Sequence, residues 1–302
     1  MSLGEQPVEQ RRAHVADMQQ SRGAGRKADD GSGGIDHGSR LVATGRWRVK
    51  PPPLLSPAGM EEQQVQAQDI EYRADGARLV GQYVVDDAKP GKRPGVLVCH
   101  EGPGLTEHTK KIAARLAGLG YAAFAMDYHG DGKPLTDPAE MRTRIVAWLA
   151  NPTGIRARAT AALDALRGQM EVDPARLAAI GYCFGGTTSL ELGRAGCDLK
   201  AIVGFHSGLA TARPQDARNI KGKVLVCIGA DDPIIPPEQR ADFEKEMKAA
   251  GIDWRLQLYG GAGHSFTNPA ADSRGMKGFF YHEATDRRSW NAMIELFNET
   301  LK

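Results

Sequence analysis

From about residue 68 the chain is written in short apolar runs separated by periodic and turn-forming segments. It opens with a strand pair: 69–73 alternates apolar and polar positions, 79–85 is a second strand-like run, and Ala74-Asp75-Gly76 between them predicts a hairpin-like turn. Residues 95–99, 121–127, 177–180, 201–206, 224–229 and 254–259 read as further strands, most of them apolar almost throughout. Asp173-Pro174 predicts a turn into the strand at 177–180. The intervening stretches 110–119, 138–149, 156–166, 238–249 and 287–301 carry helical spacing. In the first of them Ile112, Leu116 and Leu119 recur at that spacing, with Lys111 and Arg115 between them. Apolar strands that alternate with helices need cover on both faces. The pattern therefore predicts an α/β domain over 68–302, with a mostly parallel central sheet and helices on each side.

The first 60 residues break this pattern. They hold Pro51-Pro52-Pro53 and several Gly-, Ser- and Asp-rich stretches with almost no apolar periodicity, a composition that predicts a disordered segment. Arg11-Arg12 is followed by no apolar core, so a twin-arginine export signal is not expected. Met60 stands directly before the patterned region and is a candidate natural translation start.

Bulk composition narrows the class. The chain has 302 residues, 41% of them hydrophobic and 25% charged, which is ordinary for a globular enzyme. A net charge of +2 without a basic patch excludes a nucleic-acid surface, and no run of about 18 apolar residues offers a membrane span. The four cysteines, Cys99, Cys183, Cys197 and Cys227, are far apart and form no CxxC. This usage predicts a reducing cytoplasm rather than a disulfide framework. Cys99 and Cys227 sit inside strand-like runs and read as buried hydrophobes. No HExxH or paired-ligand spacing suggests a metal, and no cofactor is expected. His100, His108 and His129 lie scattered near the site loops and read as surface or supporting residues rather than ligands.

The chemistry concentrates on Gly181-Tyr182-Cys183-Phe184-Gly185-Gly186, between the strand at 177–180 and a helix over 187–192. A nucleophile framed by glycines on a sharp strand-to-helix turn resembles the nucleophile elbow of α/β-hydrolases, here with cysteine in the usual place of serine. The new helix points its N-terminus at the sulfur, which favours a thiolate. A carboxylate follows the strand at 224–229, in Ala230-Asp231-Asp232-Pro233. A histidine follows the strand at 254–259, in Gly260-Gly261-Ala262-Gly263-His264. The order nucleophile, acid, histidine is that of α/β-hydrolases. On local pattern alone either Asp231 or Asp232 can be the acid. Ser189 and Ser207 lack the glycine frame and are not expected to be nucleophiles.

These blocks, together with His100-Glu101-Gly102-Pro103-Gly104-Leu105 after the strand at 95–99, are similar to the signature blocks of the dienelactone hydrolase family over about 68–302. The resemblance implies Cys183 as nucleophile, His264 as general base and Asp232 as the acid. It also implies Glu101 near the thiol, controlling the charge of the cysteine, and the backbone N–H groups of Gly102 and Phe184 as the oxyanion hole. Two arginines that grip a substrate carboxylate in the family's type member have no counterpart at the matching positions, in Tyr128-His129-Gly130 or in Ser265-Phe266-Thr267-Asn268. Asparagine or aspartate cannot replace a bidentate arginine. The expected partner is therefore a small neutral or differently charged ester, lactone or thioester, and not dienelactone. The insertion at 128–151 is expected to roof the pocket. The alternative function is a non-hydrolytic relative that binds a ligand or senses oxidants through Cys183.

Overall fold

The computed structural model describes residues 65–88 and 90–302. The expectations for residues 1–60, the start at Met60 included, lie outside the described residues.

The hairpin forms as β1 (Gln66–Ala74) and β2 (Ala77–Val85), an antiparallel pair in full register. The chain continues through β3 (Arg93–Cys99), α1 (Glu107–Gly118), β4 (Ala122–Ala125), α2 (Pro138–Ala150), α3 (Thr153–Arg167), β5 (Val172–Tyr182) and α4 (Phe184–Arg194). It then runs through β6 (Ala201–Phe205), β7 (Lys223–Gly229), α5 (Pro237–Ala250), β8 (Trp254–Tyr259) and α6 (Glu283–Thr300), with short 3₁₀ turns at Pro214–Asn219 and Pro269–Arg274. The eight strands make one sheet in the order β1-β2-β4-β3-β5-β6-β7-β8. The β1–β2 and β2–β4 pairs are antiparallel, and all the others are parallel. Crossing from β3 to β5 at the centre of the sheet brings the ends of β3, β5, β7 and β8 to one edge, where an α/β sheet places its ligand site.

The strand alternation sorts the core into two layers. Leu97, Phe124, Leu177, Ile202 and Val226 face the side covered by α3, α4 and α5. Their sequence neighbours Val96, Ala123, Ala178, Val203 and Cys227 face the side covered by α1 and α6. The sheet is thus apolar on both faces, as near-continuous apolar strands require.

One local expectation is corrected. Asp173-Pro174 does not precede the elbow strand but lies inside β5. Pairing with β3 holds at Pro94↔Asp173 and resumes at Gly95↔Leu177, so three residues bulge out of the ladder. The turn chemistry is present all the same: the Asp173 carboxylate accepts from the Ala175 N–H at 3.0 Å and from Arg176 Nε at 2.7 Å. A proline that cannot donate to a ladder is accommodated at such a bulge.

The helix that starts at the elbow is anchored from behind. Asp216, Arg156, Glu191, Arg194 and Glu246 form a chain of ion pairs at 2.6–2.9 Å that ties α4 to α3, α5 and the 3₁₀ turn at Pro214–Asn219. Arg194 is fully buried, and the chain gives its guanidinium two carboxylate partners. An unpaired charge there would be costly, so the network fixes the axis of α4 and with it the turn at Cys183.

Candidate active site

β5 hands over to α4 through a single residue. Cys183 has φ 55° and ψ −122°, a backbone that side-chain-bearing residues rarely adopt. Such strain persists only where the surroundings enforce it. Here a Cβ at Gly181 would lie 2.0 Å from Gly185 O, so the strand end and the helix start touch backbone to backbone. The Cys183 N–H is shared between Phe205 O at 3.0 Å and His206 Nδ1 at 3.1 Å. The thiol is half-buried, whereas Cys99 and Cys227 are fully buried and burial raises both of those thiols to about 12.

The other two candidates converge on it. Asp232 is buried just past β7. Its Oδ1 accepts the Ile234 N–H at 2.8 Å, and its Oδ2 accepts from His264 Nδ1 at 2.8 Å. Asp231 is exposed, so the structure distinguishes the two aspartates that local pattern could not. His264 is pinned by backbone bonds on both sides, its N–H to Gly278 O at 2.8 Å and its carbonyl from the Phe280 N–H at 3.2 Å. With Nδ1 committed to Asp232, Nε2 is the nitrogen left for the thiol. It is buried and makes no hydrogen bond of normal geometry among the described residues; catalytic hydrogen bonds commonly tighten only when substrate is bound. Burial alone would disfavour a charged ring. The charge of Cys183 and the hydrogen bond that the ring donates to Asp232 outweigh it and push His264 up to about 10.

That shift has a definite sign. A folded-state pKa above the usual histidine value of about 6.5 means that the folded chain holds the proton more tightly than the unfolded one. The stabilisation is complete below about 6.5 and fades as the pH rises through about 10. In ¹⁵N-histidine-labelled protein the His264 ring is therefore expected to titrate near 10, and in Cys183→Ala to fall back toward the usual value. An unchanged midpoint in that variant would show that the thiol does not hold the proton.

Glu101 is buried beside these groups, and its hydrogen bonds go to Asn268 Nδ2 at 2.6 Å, Ser265 Oγ at 3.4 Å and Arg274 Nη2 at 3.2 Å. The resemblance placed this carboxylate near the thiol; the partners it makes here lie on the loop that follows His264. The two positions that match the family's substrate-gripping arginines lack one, as the sequence shows; elsewhere a guanidinium arrives ten residues after His264, at the end of the 3₁₀ turn Pro269–Arg274, and pairs with Glu101. The only hint in the sequence was a cation in a proline- and glycine-punctuated segment that has to fold back.

The candidate oxyanion donors lie at the ends of β3 and β5. Phe184 is the first residue of α4, so its N–H has no partner within the helix. Gly102 follows β3. Residues of the insertion at 128–151 pack against both of these segments: a Cβ at Gly102 would sit 3.2 Å from both Met141 Sδ and Ile145 Cδ1 of α2, while Trp148 stacks on Phe184 with centroids 5.8 Å apart. His206 went unnoticed in the sequence. It is fully buried at φ 40°, and its Nε2 bonds Thr267 Oγ1 at 2.8 Å. Burial and the charge of His264 hold it well below the usual histidine range, so as a neutral ring it accepts the Cys183 N–H. Ser189 Oγ is turned to Gly185 O at 3.1 Å, away from any nucleophilic role.

A parallel sheet whose strand ends carry a strained elbow, an acid and a histidine in that order has the α/β-hydrolase fold. Within that class, a profile of the dienelactone hydrolase family matches residues 80–301. The chain belongs to the dienelactone hydrolase family. It is 47% identical to the solved m3DLH, with 79% of this chain and 99% of that one covered and a TM-score of 0.77. It is 43% identical, over the same shares, to a dienelactone hydrolase-like promiscuous phosphotriesterase from metagenomic libraries, with a TM-score of 0.75. A Salmonella typhimurium protein provisionally named a carboxymethylenebutenolidase is 29% identical over 74% of this chain and 84% of its own length.

Proposed function

We propose that this chain hydrolyses neutral carboxylic esters, lactones or thioesters by two-step acyl transfer through Cys183. The observation that carries this reading is the Asp232–His264 hydrogen bond, on a histidine whose charge is favoured by that of a half-buried thiol on a strained turn at the start of a helix. The Cys183 thiolate adds to the carbonyl carbon. The oxygen takes up the electron pair between the N–H groups of Phe184 and Gly102, where each fixed donor contributes on the order of a hundredfold in rate. As the tetrahedral species collapses, the His264 imidazolium gives its proton to the departing alcohol oxygen, leaving an acyl-thioenzyme. The neutral imidazole, still oriented by Asp232, then takes a proton from water, whose oxygen attacks the thioester and expels the thiolate.

The preference for a neutral acyl group follows from charge and lining. Arg274 is already compensated by Glu101, and the roof presents Met141, Ile145 and Trp148. With p-nitrophenol as a common leaving group, a butyrate ester is expected to be turned over at least about tenfold faster than a hemisuccinate, since each tenfold is only about 1.4 kcal/mol of differential binding. Intact mass after rapid mixing should show one butyryl group on Cys183. A chain that turns over no ester, lactone or thioester while Cys183 oxidises readily to a sulfenic acid would favour the redox role instead. The 43% identity to a promiscuous phosphotriesterase supports a neutral phosphotriester as a second substrate class, and release of p-nitrophenol from paraoxon checks it.

A further inference from the structure

The oxyanion loop after β3 has all five of its carbonyls held. His100 O accepts from Tyr128 Oη at 2.9 Å. Glu101 O accepts from Tyr128 Oη at 2.9 Å, from His100 Nδ1 at 2.6 Å and from the Gly104 N–H at 3.1 Å. Gly102 O accepts from His129 Nε2 at 2.7 Å, Pro103 O from the Leu135 N–H at 2.7 Å and Gly104 O from the Thr106 N–H at 2.9 Å. The side-chain donors are two consecutive residues just past β4 and the loop's own first residue. The distribution is uneven: the Glu101 carbonyl lies within hydrogen-bonding distance of three donors, one of them the Tyr128 hydroxyl, whose single proton is shared with His100 O.

That carbonyl shares a peptide plane with the Gly102 N–H. In a trans peptide the C=O and the N–H point in opposite directions. A carbonyl held firmly toward Tyr128 and His100 therefore aims the Gly102 N–H the other way, out of the loop, and no backbone acceptor takes it among the described residues. We propose that Tyr128 is a positioning residue for catalysis: its hydroxyl, with His100 and His129, clamps the oxyanion loop so that the Gly102 N–H is fixed where the carbonyl oxygen of the substrate develops charge. The inference rests on the acyl-transfer reading above and adds to it the group that orients one of the two donors.

The clamp is itself built to be rigid. Tyr128 is fully buried and stacks on His100 with centroids 3.6 Å apart and planes at 28°. Burial, before any neighbouring charge, holds its phenol well above the usual range, so it keeps the proton it donates. Its backbone N–H lies 3.4 Å from His100 Nε2, which leaves Nδ1 as the protonated nitrogen that donates to Glu101 O. The turn that carries Tyr128 and His129 is wrapped around the buried Asp127 carboxylate, which accepts from the N–H groups of His129, Gly130 and Gly132 at 2.8–2.9 Å. A loop this constrained costs no reorganisation when the oxyanion forms, which is the property that makes such donors effective.

The test compares a reaction that uses the oxyanion donors with one that does not. Tyr128→Phe keeps the ring and its stacking and removes only the clamp. It is expected to lower kcat on p-nitrophenyl butyrate about 10- to 100-fold, because a misplacement on the order of 1 Å in a site costs about that much. KM should stay within about threefold, since the substrate is held elsewhere. An aryl trifluoromethyl ketone, which captures the thiolate as an oxyanion adduct, should lose affinity by the same factor as kcat. Alkylation of Cys183 by iodoacetamide, which develops no oxyanion, should proceed at the wild-type rate. Turnover of Tyr128→Phe at the wild-type rate would overturn the proposal, and so would a parallel fall in alkylation, which marks general damage to the site. If Tyr128→Phe does not yield folded protein, His129→Leu removes the clamp on the next carbonyl and is read in the same way. Turnover that survives Cys183→Ala would strike the acyl-transfer reading itself; wild-type turnover in Tyr128→Phe of a Cys183-dependent enzyme strikes only the clamp.

Discussion

Cys183→Ala is expected to lower kcat/KM on p-nitrophenyl butyrate by roughly 10⁴-fold or more, about 5.5 kcal/mol of transition-state stabilisation, with the fold retained. The size of the effect follows from what the thiol does. The oxyanion donors and the binding surface remain in the variant, so some acceleration over water survives. The covalent route and the charge that holds the proton on His264 are both gone. His264→Ala should cost nearly as much, and the double variant scarcely more than either one. Side chains that act on a single proton and a single bond lose their effect together rather than additively. Progress curves on the three variants and the wild type decide it. Additive losses would mean that Cys183 and His264 serve different steps or different sites. Turnover undiminished in Cys183→Ala would remove the sulfur from the mechanism.

Gly185→Ala is expected to be strongly destabilising for the addition of a single methyl group. Its Cβ would lie 2.2 Å from Cys99 O and 2.4 Å from His100 O, both of them backbone atoms that no rotamer change can move aside. The close approach is there because α4 must start against the end of β3. On the proposed reading the two oxyanion donors sit on these segments, the Phe184 N–H at the first residue of α4 and the Gly102 N–H three residues past β3. A methyl group wedged between them would either break the docking of α4 or spread the two donors. Overpacking with no escape belongs to the class of changes that exceed about 4 kcal/mol. At about 2–4 °C per kcal/mol for a domain of this size, the thermal midpoint should fall by roughly 10 °C or more, or soluble protein should be lost. Calorimetry on the purified variant reads the first outcome, and the soluble fraction at expression reads the second. A stable Gly185→Ala with full activity would show that the contact between β3 and α4 is not needed for either purpose.

The two variants probe different layers of the same site, and the layers differ in how far they could be read without coordinates. The elbow was legible because its demands are local. A reversal between a buried strand and a helix needs glycines within two residues of the nucleophile, and those glycines stand in Gly181-Tyr182-Cys183-Phe184-Gly185-Gly186. The positions of the acid and the histidine were legible for a related reason, since each follows an apolar run and strand C-termini gather at one edge of a parallel sheet. The choice of Asp232 over Asp231 needed either the family resemblance or the structure. Two adjacent carboxylates are equivalent to a pattern, and only the fold buries one against His264 and leaves the other in solvent.

The remainder depends on contacts between residues 23 to 173 positions apart in the chain. Arg274 meets Glu101 across 173 residues, Tyr128 meets the Glu101 carbonyl across 27, and His206 reaches the Cys183 N–H across 23. None of these residues sits in a spacing that distinguishes it from an ordinary turn or strand-end residue. His100 and His129 read as incidental histidines because their role is to hold backbone carbonyls, and a carbonyl is present at every position.

By itself the sequence determined the succession of strands and helices, the covering of the sheet on both faces and the chain order in which a cysteine, an aspartate pair and a histidine follow strand ends at one edge of it. Periodicity, turn chemistry and chain order are local properties and survive without coordinates. The tertiary structure alone decided which carboxylate is buried, that Glu101 is neutralised by an arginine from the loop beyond His264, and that a tyrosine and two histidines hold the loop carrying Gly102. Those outcomes depend on which turns come within hydrogen-bonding distance, and that distance is set by how the sheet twists and its layers pack, not by any residue's neighbours along the chain.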